Sequence, residues 1–467
     1  METLASQSKE ELIALVLQQR AIVEEQAETL RLYIGRIEEL EKEIAALKNG
    51  GKGTKPPPPD WVKSNTRSEK APPGQGKTPR KKRRHNFTWT RREPTKIVEH
   101  ACEHCPDCGR ALSGGWEYSR RQIIEIPPIA VEVIDHVVVA RHCGVCGKDC
   151  VPKVDTTQEA VGQSHYGLRL VSLIAYLRTL GRLPKRSIQA LLQVLLGLSM
   201  SVGQISELLH RVAKQGKSQY EDLQKAIQSS PYVHADETGW REDGQNGYLW
   251  SFSTPSVRYF LYDQSRSHFV PEAVLKGFLG VLISDFYSGY HYYMGLHQRC
   301  WVHLLRDVRE LKLKYPTEGV LAWAQKLRAI YDRAKAFSSA SPKAREAARL
   351  SFQAQLLELA VPYVDCCLPQ SVLCKRLVQF EAELFTFVEH PEVPSENNAA
   401  ERSVRPRVIA RKTSGGTRSS EGSKTMAVLA SLFETWRLRG EDALEACRQM
   451  LITSQKPKDT QASSTLS

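Results

Sequence analysis

The sequence predicts a multidomain protein that combines α+β and α/β structure, and three observations support this. The chain has 467 residues, of which 41% are hydrophobic, so it is long enough for two to four domains with sizeable cores. Helical periodicity marks residues 8–48 and 166–214, whereas residues 231–285 alternate apolar and polar side chains as strands do. Two C-x-x-C pairs lie between these regions and predict a small zinc-binding module.

The charge predicts a polyanionic partner. The formal net charge is +13, which favours nucleic acid over an anionic membrane surface. No run of about 18 apolar residues and no signal-peptide pattern occurs, so we expect a cytoplasmic protein with no membrane partner. The chain has 11 cysteines, and six of them fall between Cys102 and Cys150, which is not a secreted disulfide framework.

The N-terminal segment, residues 1–49, predicts one coiled-coil helix. Ser8 and Glu11 form a capping box, and Asn49-Gly50 ends the helix. One heptad position is apolar throughout, at Val16, Val23, Leu30, Ile37 and Ile44. The seam predicts homo-oligomerisation or contact with an accessory protein, and the alternative is a helix packed on its own domain.

Residues 50–95 predict a basic, proline-rich linker, since "KPPPPD" and "APPGQGK" cannot bury a core. Five consecutive cations follow, and with nearby aromatic residues they suit contact with DNA phosphates: Arg80, Lys81, Lys82, Arg83 and Arg84. A solvated basic tail would have a similar composition.

Residues 96–158 predict a zinc ribbon. The candidate ligands of one structural Zn²⁺ are four thiolates in two pairs, each followed by glycine: Cys105, Cys108, Cys143 and Cys146. The intervening residues 121–141 alternate like strands. Free or redox thiols are the alternative, and His104 and His142 are expected to be polar neighbours.

Residues 159–230 predict helices. Two amphipathic runs are separated at Gly197, and Ser201 with Gln204 forms a second capping box. A DNA-binding helix-turn-helix and a packed helical connector are both compatible with this pattern.

Residues 231–440 predict an RNase H-like catalytic domain with a mixed sheet. The first strand is expected to end near Asp236, with later turns at Asn246-Gly247 and Pro255-Ser256. A short helix at 271–276 and a fourth strand ending at Asp285 follow. Because this strand order places the first and fourth strands side by side, Asp236 and Asp285 should meet.

A third acid is expected on a helix that begins at Asn397 or Asn398 and ends before Pro406, with Glu401 in its middle. Cations around it suit a DNA backbone, among them Arg402, Arg405, Arg411 and Lys412. We expect Glu237, on the other strand face, and Glu396 to lie outside the metal site.

The segments "HADETGW", "SDFYSGY", "QRCWVHLLRD" and "NNAAERSVRPRVIARK" resemble, in order, the motifs of the insertion sequence 66 family of bacterial DDE transposases. The resemblance covers about residues 8 to 450, including the zinc ribbon and the coiled coil. It implies that Asp236, Asp285 and Glu401 are catalytic and bind two Mg²⁺ or Mn²⁺ ions. It also implies a helical insertion at about 315–394, and residues 441–467 are expected to form a helix and a disordered tail.

The predicted function is therefore DNA transposition: binding of terminal inverted repeats, then metal-dependent cleavage and strand transfer into target DNA. The resemblance implies that neighbouring reading frames encode accessory proteins. It also implies that this protein is bacterial and associated with the nucleoid. Arg299 and Arg306 are candidate phosphate contacts, whereas Cys300 and His303 are too few to hold a metal alone. The alternatives are an RNase H-like nuclease or resolvase, and a zinc-containing regulator without catalysis.

The zinc prediction is tested by metal content. Replacing Cys108 with Ser removes one of four thiolates, so we expect purified Cys108→Ser protein to hold less zinc than wild type by atomic emission. Cys367→Ser, outside the module, is the matched control. Wild-type protein without zinc, or unchanged zinc in Cys108→Ser, would contradict the assignment.

Overall fold

In a computed structural model, the described residues are 90–455 and the positions 17, 19–21, 23–28, 31, 34, 35 and 38. The chain divides into two compact units, residues 43–131 and residues 1–42 with 132–467. The described positions between 17 and 38 are helical. Most of the predicted heptad seam, the basic run at 80–84, most of the linker and the chain after 455 lie outside the described residues.

The region of the two C-x-x-C pairs contains little regular structure. β1 (Arg141–His142) pairs with β2 (Asp149–Cys150) in a two-residue antiparallel ladder. The strands predicted at 121–140 are not formed, because residues 112–140 carry no regular secondary structure. Their apolar side chains, such as Ile123 and Val133, are exposed, so no buried face orders them into a ladder.

Residues 168–228, immediately before the large sheet, form α1 (Leu168–Thr179), α2 (Lys185–Leu196), α3 (Val202–Gln215) and α4 (Lys217–Gln228). The predicted break is confirmed, since α2 ends at Gly197 with a φ of 66°. The capping box of Ser201 and Gln204 at the start of α3 is also confirmed. These helices share one hydrophobic core with the sheet, so the segment is packed on the domain that follows it.

The large sheet has five strands in the order β5-β4-β3-β6-β7. They are β3 (Tyr232–Glu242), β4 (Gln245–Ser253), β5 (Arg258–Asp263), β6 (Val281–Ser284) and β7 (His297–Arg299), with α5 (Phe269–Val274) before β6. β3, β4 and β5 are antiparallel neighbours, whereas β6 and β7 run parallel to β3. The prediction that the first and fourth strands of this series are adjacent is confirmed by the β3–β6 pairing.

Two details of the sheet differ from the sequence prediction. The β3–β4 turn lies at Asp243-Gly244, with φ values of 47° and 81°, and not at Asn246-Gly247, which lies within β4. Both dipeptides favour a hairpin turn, and cross-strand pairing that runs as far as Glu242 with Gln245 leaves only Asp243-Gly244 for it. The edge strand β7 was missed because three residues are too short for an alternation signal.

A helical region with its own core lies between β7 and the last helices. It contains α6 (Trp301–Lys314), α7 (Glu318–Ala336), α8 (Pro342–Ala360), α9 (Ser371–Gln379), α10 (Glu381–Leu384) and α11 (Thr386–Glu389). Large aromatic residues such as Trp301, Trp323 and Phe385 fill this core. The backbone N–H of Trp301 donates to the carbonyl of Ser395 at 3.0 Å, so the start and the end of the region are bonded together.

The described chain ends with α12 (Asn398–Ser414), α13 (Ser420–Leu438) and α14 (Ala443–Thr453). α12 packs on β3 and β4, and α13 covers β5. The prediction that the helix ends before Pro406 is wrong, because α12 continues through Pro406 to Ser414. The helix is held beyond the proline by Arg407, which donates to the carbonyl of Thr179 at 3.0 Å, so tertiary contact outweighs local propensity. In the described part of the chain no helix is long and apolar enough to cross a membrane.

The buried ion pair of α12 and α13 predicts a large stability effect. Arg407 and Glu434 are 3.1 Å apart with side chains 2% and 5% exposed. Glu434→Gln leaves the buried guanidinium uncompensated, so we expect a loss of about 3 kcal/mol in the free energy of unfolding, measured by urea denaturation. Glu441→Gln is the control, since the exposed Glu441–Arg439 pair should change stability by less than about 0.5 kcal/mol. Equal losses in both variants would contradict the expectation.

Candidate active site

Asp236 lies in the middle of β3, just beyond the end of its pairing with β6. The β3–β6 ladder ends at His234, whereas the β3–β4 ladder continues through Asp236 to Glu242. The prediction that the strand ends near Asp236 is therefore wrong, because pairing with β4 keeps the chain extended for six more residues. At Asp236 the strand has a partner on one side only, and this opens the edge of the sheet at the end of the parallel strands.

Asp285 follows β6 directly, and its backbone is held by a buried cation. Its Oδ1 atom accepts from the N–H of Tyr287 at 2.9 Å, and its carbonyl accepts from Nη1 of Arg299 at 2.8 Å. Arg299 is 1% exposed and also donates to Glu383 at 2.6 Å. The prediction that Arg299 contacts DNA phosphates is wrong, because its guanidinium is buried and paired with Glu383.

Glu401 lies in the first turn of α12, facing the start of α6. Its Oε1 atom is 3.5 Å from Nε2 of His303 and 3.6 Å from Nη2 of Arg306. That oxygen is buried and accepts no hydrogen bond, and Nδ1 of His303 is also buried without a hydrogen-bond partner. The site therefore contains a buried carboxylate oxygen that accepts no hydrogen bond from the described protein atoms. Arg306 is about half exposed, so its contact with DNA stays a prediction.

Asn397, at the start of α12, joins this helix to β3 and to the residue before α6. Its side-chain amide donates to the carbonyl of Ala235 at 2.7 Å, and its Oδ1 atom lies 3.0 Å from Nδ1 of His234. Its backbone N–H donates to the sulfur of Cys300 at 3.1 Å, immediately before α6. Burial lowers the pKa of His234 to about 4, so the ring is neutral and Nδ1–H can donate to Asn397. Asn397 is 1% exposed and so fixes α12 against β3 from inside the core.

The three predicted acids lie in one electrostatic neighbourhood. Burial, together with the negative charges of Glu237, Asp285 and Glu401, raises the pKa of Asp236 to about 8. A buried carboxylate surrounded by others is destabilised as an anion unless a cation is present. In the described parts of the chain, however, no group of three or more His, Cys, Asp or Glu side chains is gathered closely enough to hold a metal ion.

The two acids predicted to lie outside the metal site have other partners. Glu237 accepts from Arg266 at 2.7 Å and from the hydroxyl of Tyr290 at 2.7 Å, with its side chain 4% exposed. Arg266 lies over the ring of Tyr287, 4.0 Å from its centroid. Glu396 lies 3.7 Å from Lys335 of α7. Through the hydroxyl of Tyr290, Glu237 therefore connects β3 to the loop after Asp285.

The cations of α12 divide by exposure. Arg402, Arg405 and Lys412 are exposed on the helix, at a spacing that places them on one face. Arg411 is half-buried and donates to the carbonyl of Gly239, so it attaches α12 to β3. The predicted DNA contacts of the three exposed side chains stay predictions.

The two cysteine turns have the same local geometry. In the first, the N–H of Cys105 donates to the carbonyl of Arg110 and the N–H of Gly109 to that of Cys105. In the second, Cys143 and Gly147 repeat this pattern. Backbone N–H groups beside the sulfurs lower the pKa of Cys105 and of Cys143, which favours the thiolate that zinc requires.

Comparison with known proteins assigns the chain to a family. The family model described as "Transposase IS66 family" matches residues 163–425, which include β3, β6 and α12. This chain belongs to the IS66 family of transposases. A second model, "zinc-finger binding domain of transposase IS66", matches residues 103–147, which include both cysteine turns of this IS66 transposase.

Curated relatives of this IS66 protein come from Sinorhizobium fredii (strain NBRC 101917 / NGR234). The chain is 29% identical to "Uncharacterized protein y4jO" over 168 residues, 35% of this chain and 50% of the relative. It is 25% identical to "Uncharacterized protein y4jD" over 280 residues, 53% of this chain and 54% of the relative. The chain thus spans about half the length of these relatives.

The hydrogen bonds of Asn397 predict a measurable effect on the position of α12. Asn397→Ala removes the side-chain bonds to Ala235 and His234, so α12 should lose its fixed position beside β3. If this site catalyses DNA cleavage, we expect the rate of cleavage to fall about 10- to 100-fold, the size of effect seen when a residue that orients a ligand is lost. Asn398→Ala, one residue later, is the control. Unchanged cleavage in a folded Asn397→Ala protein would contradict the role.

Proposed function

We propose that this chain is the transposase of an insertion sequence and acts through an RNase H-like catalytic domain. It binds the terminal inverted repeats of the element, cleaves DNA strands and transfers them to target DNA. One observation supports the proposal: β3 pairs with β6, and Asn397 bonds the start of α12 to β3, so the elements that bear Asp236, Asp285 and Glu401 are adjacent. The strand order β5-β4-β3-β6-β7 supports the assignment of the domain.

The chemistry of the oxygen donors suits divalent cations, whereas the described side chains are not gathered into a metal-binding group. Mg²⁺ and Mn²⁺ prefer carboxylate oxygens, and the buried Oε1 atom of Glu401 accepts no hydrogen bond from the protein. Asp236, Asp285 and Glu401 would hold the ions. When bound, such ions lower the pKa of the attacking water or 3′-hydroxyl and stabilise the leaving oxygen.

Other residues of the chain position these carboxylates and the DNA. Asn397 holds α12 against β3, and Arg299 fixes the backbone of Asp285. The exposed cations Arg306, Arg402, Arg405 and Lys412 would contact DNA phosphates near the acids, since phosphate contacts position a strand without reading its sequence. The zinc-finger domain and the N-terminal helix would serve end recognition and assembly, the latter with a second copy or an accessory protein.

The acids are tested by charge removal at constant shape. Asp236→Asn, Asp285→Asn and Glu401→Gln should each reduce cleavage and strand transfer below detection, because an amide does not supply the charge that holds Mg²⁺. DNA binding should persist, since its phosphate contacts come from Lys and Arg. The assay uses full-length protein, Mg²⁺ and DNA carrying the ends of the element.

Glu396→Gln is the matched control, because Glu396 pairs with Lys335 and lies five residues before Glu401. It should keep substantial activity. An inactive Glu396→Gln with an active Glu401→Gln would show that the third acid is misassigned. If Asp236→Asn and Asp285→Asn were both active, the two-metal transposase proposal would fail. Cleavage without strand transfer by wild-type protein would favour a nuclease or resolvase.

A further inference from the structure

Cationic side chains gather where the turn between α1 and α2 meets the middle of α12. Arg407 of α12 donates from Nη2 to the carbonyl of Thr179, the last residue of α1, at 3.0 Å. This bond holds the turn, residues 180–184, against the helix that carries Glu401. Arg178 and Arg182 are electrostatic neighbours of Arg407, so the cations of the turn lie beside α12.

The positive charge of this region is poorly compensated within the protein. Glu434 pairs with Arg407 and Arg437, while Arg178, Arg182 and Arg437 all act on Arg407 as like charges. Nε of Arg407 is buried and has no hydrogen-bond partner. One carboxylate thus faces several guanidinium groups.

The hydrogen bonds of the neighbouring cations are made to neutral atoms. Nζ of Lys185 donates to the hydroxyl of Ser206 at 2.8 Å, and Nη1 of Arg178 donates to the carbonyl of Leu183 at 3.2 Å. Burial and the charge of Arg178 lower the pKa of Lys185. These contacts satisfy the donors, and no carboxylate of the described residues forms an ion pair with Lys185 or Arg178.

The start of α2 adds a second source of positive potential. α2 begins with Lys185 and Arg186, has no acid in its first turn and has no side-chain cap. The N-terminus of a helix carries a partial positive charge, so cations there are unfavourable unless an anion binds nearby. Arg186 and Arg182 are exposed and available to such an anion.

We propose that Arg182, Lys185 and Arg186 form a phosphate-binding surface that holds the DNA backbone beside the active site. The inference rests on the proposed function, which makes DNA the polyanion. Glu401 and Arg407 are about 9 Å apart along α12, from a rise of about 1.5 Å per residue. Since phosphates of one strand in a duplex are about 3.4 Å apart along the axis, a strand at the acids reaches the turn within a few nucleotides.

The test compares two triple variants of the full-length protein. The first, Arg182→Asn with Lys185→Gln and Arg186→Gln, removes three charges from the surface. Asn suits position 182 because its φ is 59°, a left-handed conformation that Asn tolerates. The control, Lys276→Gln with Lys343→Gln and Lys375→Gln, removes three exposed charges elsewhere.

Fluorescence anisotropy of a DNA duplex would give the dissociation constant at several salt concentrations. Each lost phosphate contact should reduce the slope of log K against log salt by about 0.9, so the surface variant should lose up to about 2.7 and the control far less. Arg182→Lys, with its charge kept, should bind as wild type does. Circular dichroism confirms that each variant is folded, and if the triple fails to fold, Arg186→Gln alone should reduce the slope by about 0.9.

Equal slopes for wild type and the surface variant would overturn the phosphate-binding surface, as would equal losses in both triples. Wild-type cleavage with no slope change in the surface variant leaves the proposed function standing and removes this inference. A slope change without any metal-dependent cleavage by wild type would support the phosphate-binding surface and contradict the proposed function. Loss of binding to an acidic protein without a slope change on DNA would assign the surface to a different partner and reject the proposal.

Discussion

The structure of the candidate site depends on one buried side chain, the amide of Asn397. It donates to the carbonyl of Ala235 and accepts from the ring of His234, while the backbone N–H of Asn397 donates to the sulfur of Cys300. A buried amide with these partners is costly to displace, since each unmade bond leaves a desolvated polar group. The first turn of α12 is therefore fixed beside β3, although about 160 residues separate the two in sequence.

Buried arginines hold Asp285 and the middle of α12 in the same way. Arg299 bonds the backbone of Asp285 and pairs with Glu383, and Arg407 bonds the end of α1 and pairs with Glu434. Both are arginines, whose planar fork can serve a carboxylate and a carbonyl at once. The positions of the catalytic candidates thus rest on polar contacts in the interior, whereas the cations proposed to contact DNA are mainly exposed.

Sequence patterns predicted the strand order and the three candidate acids because these depend on local alternation and motif order. They did not predict that Arg299 is buried or that α12 passes Pro406, since both follow from partners distant in the chain, Glu383 and Thr179. Asn397 was identified as a helix start, but its contact with Ala235 required the fold. Periodicity at 121–140 suggested strands that do not form, because alternation gives a preference and pairing decides the outcome.

The bond between Trp301 and Ser395 has a consequence for how this architecture can diversify. The helical region leaves the sheet and returns to it at two points joined by a 3.0 Å hydrogen bond, and it fills its own core. The length of the region can therefore change at a small cost in free energy, as a longer loop costs little extra when its ends already meet. A change in the length of this region that keeps the start of α6 and Glu383 would leave Glu401 and Arg299 with their present contacts.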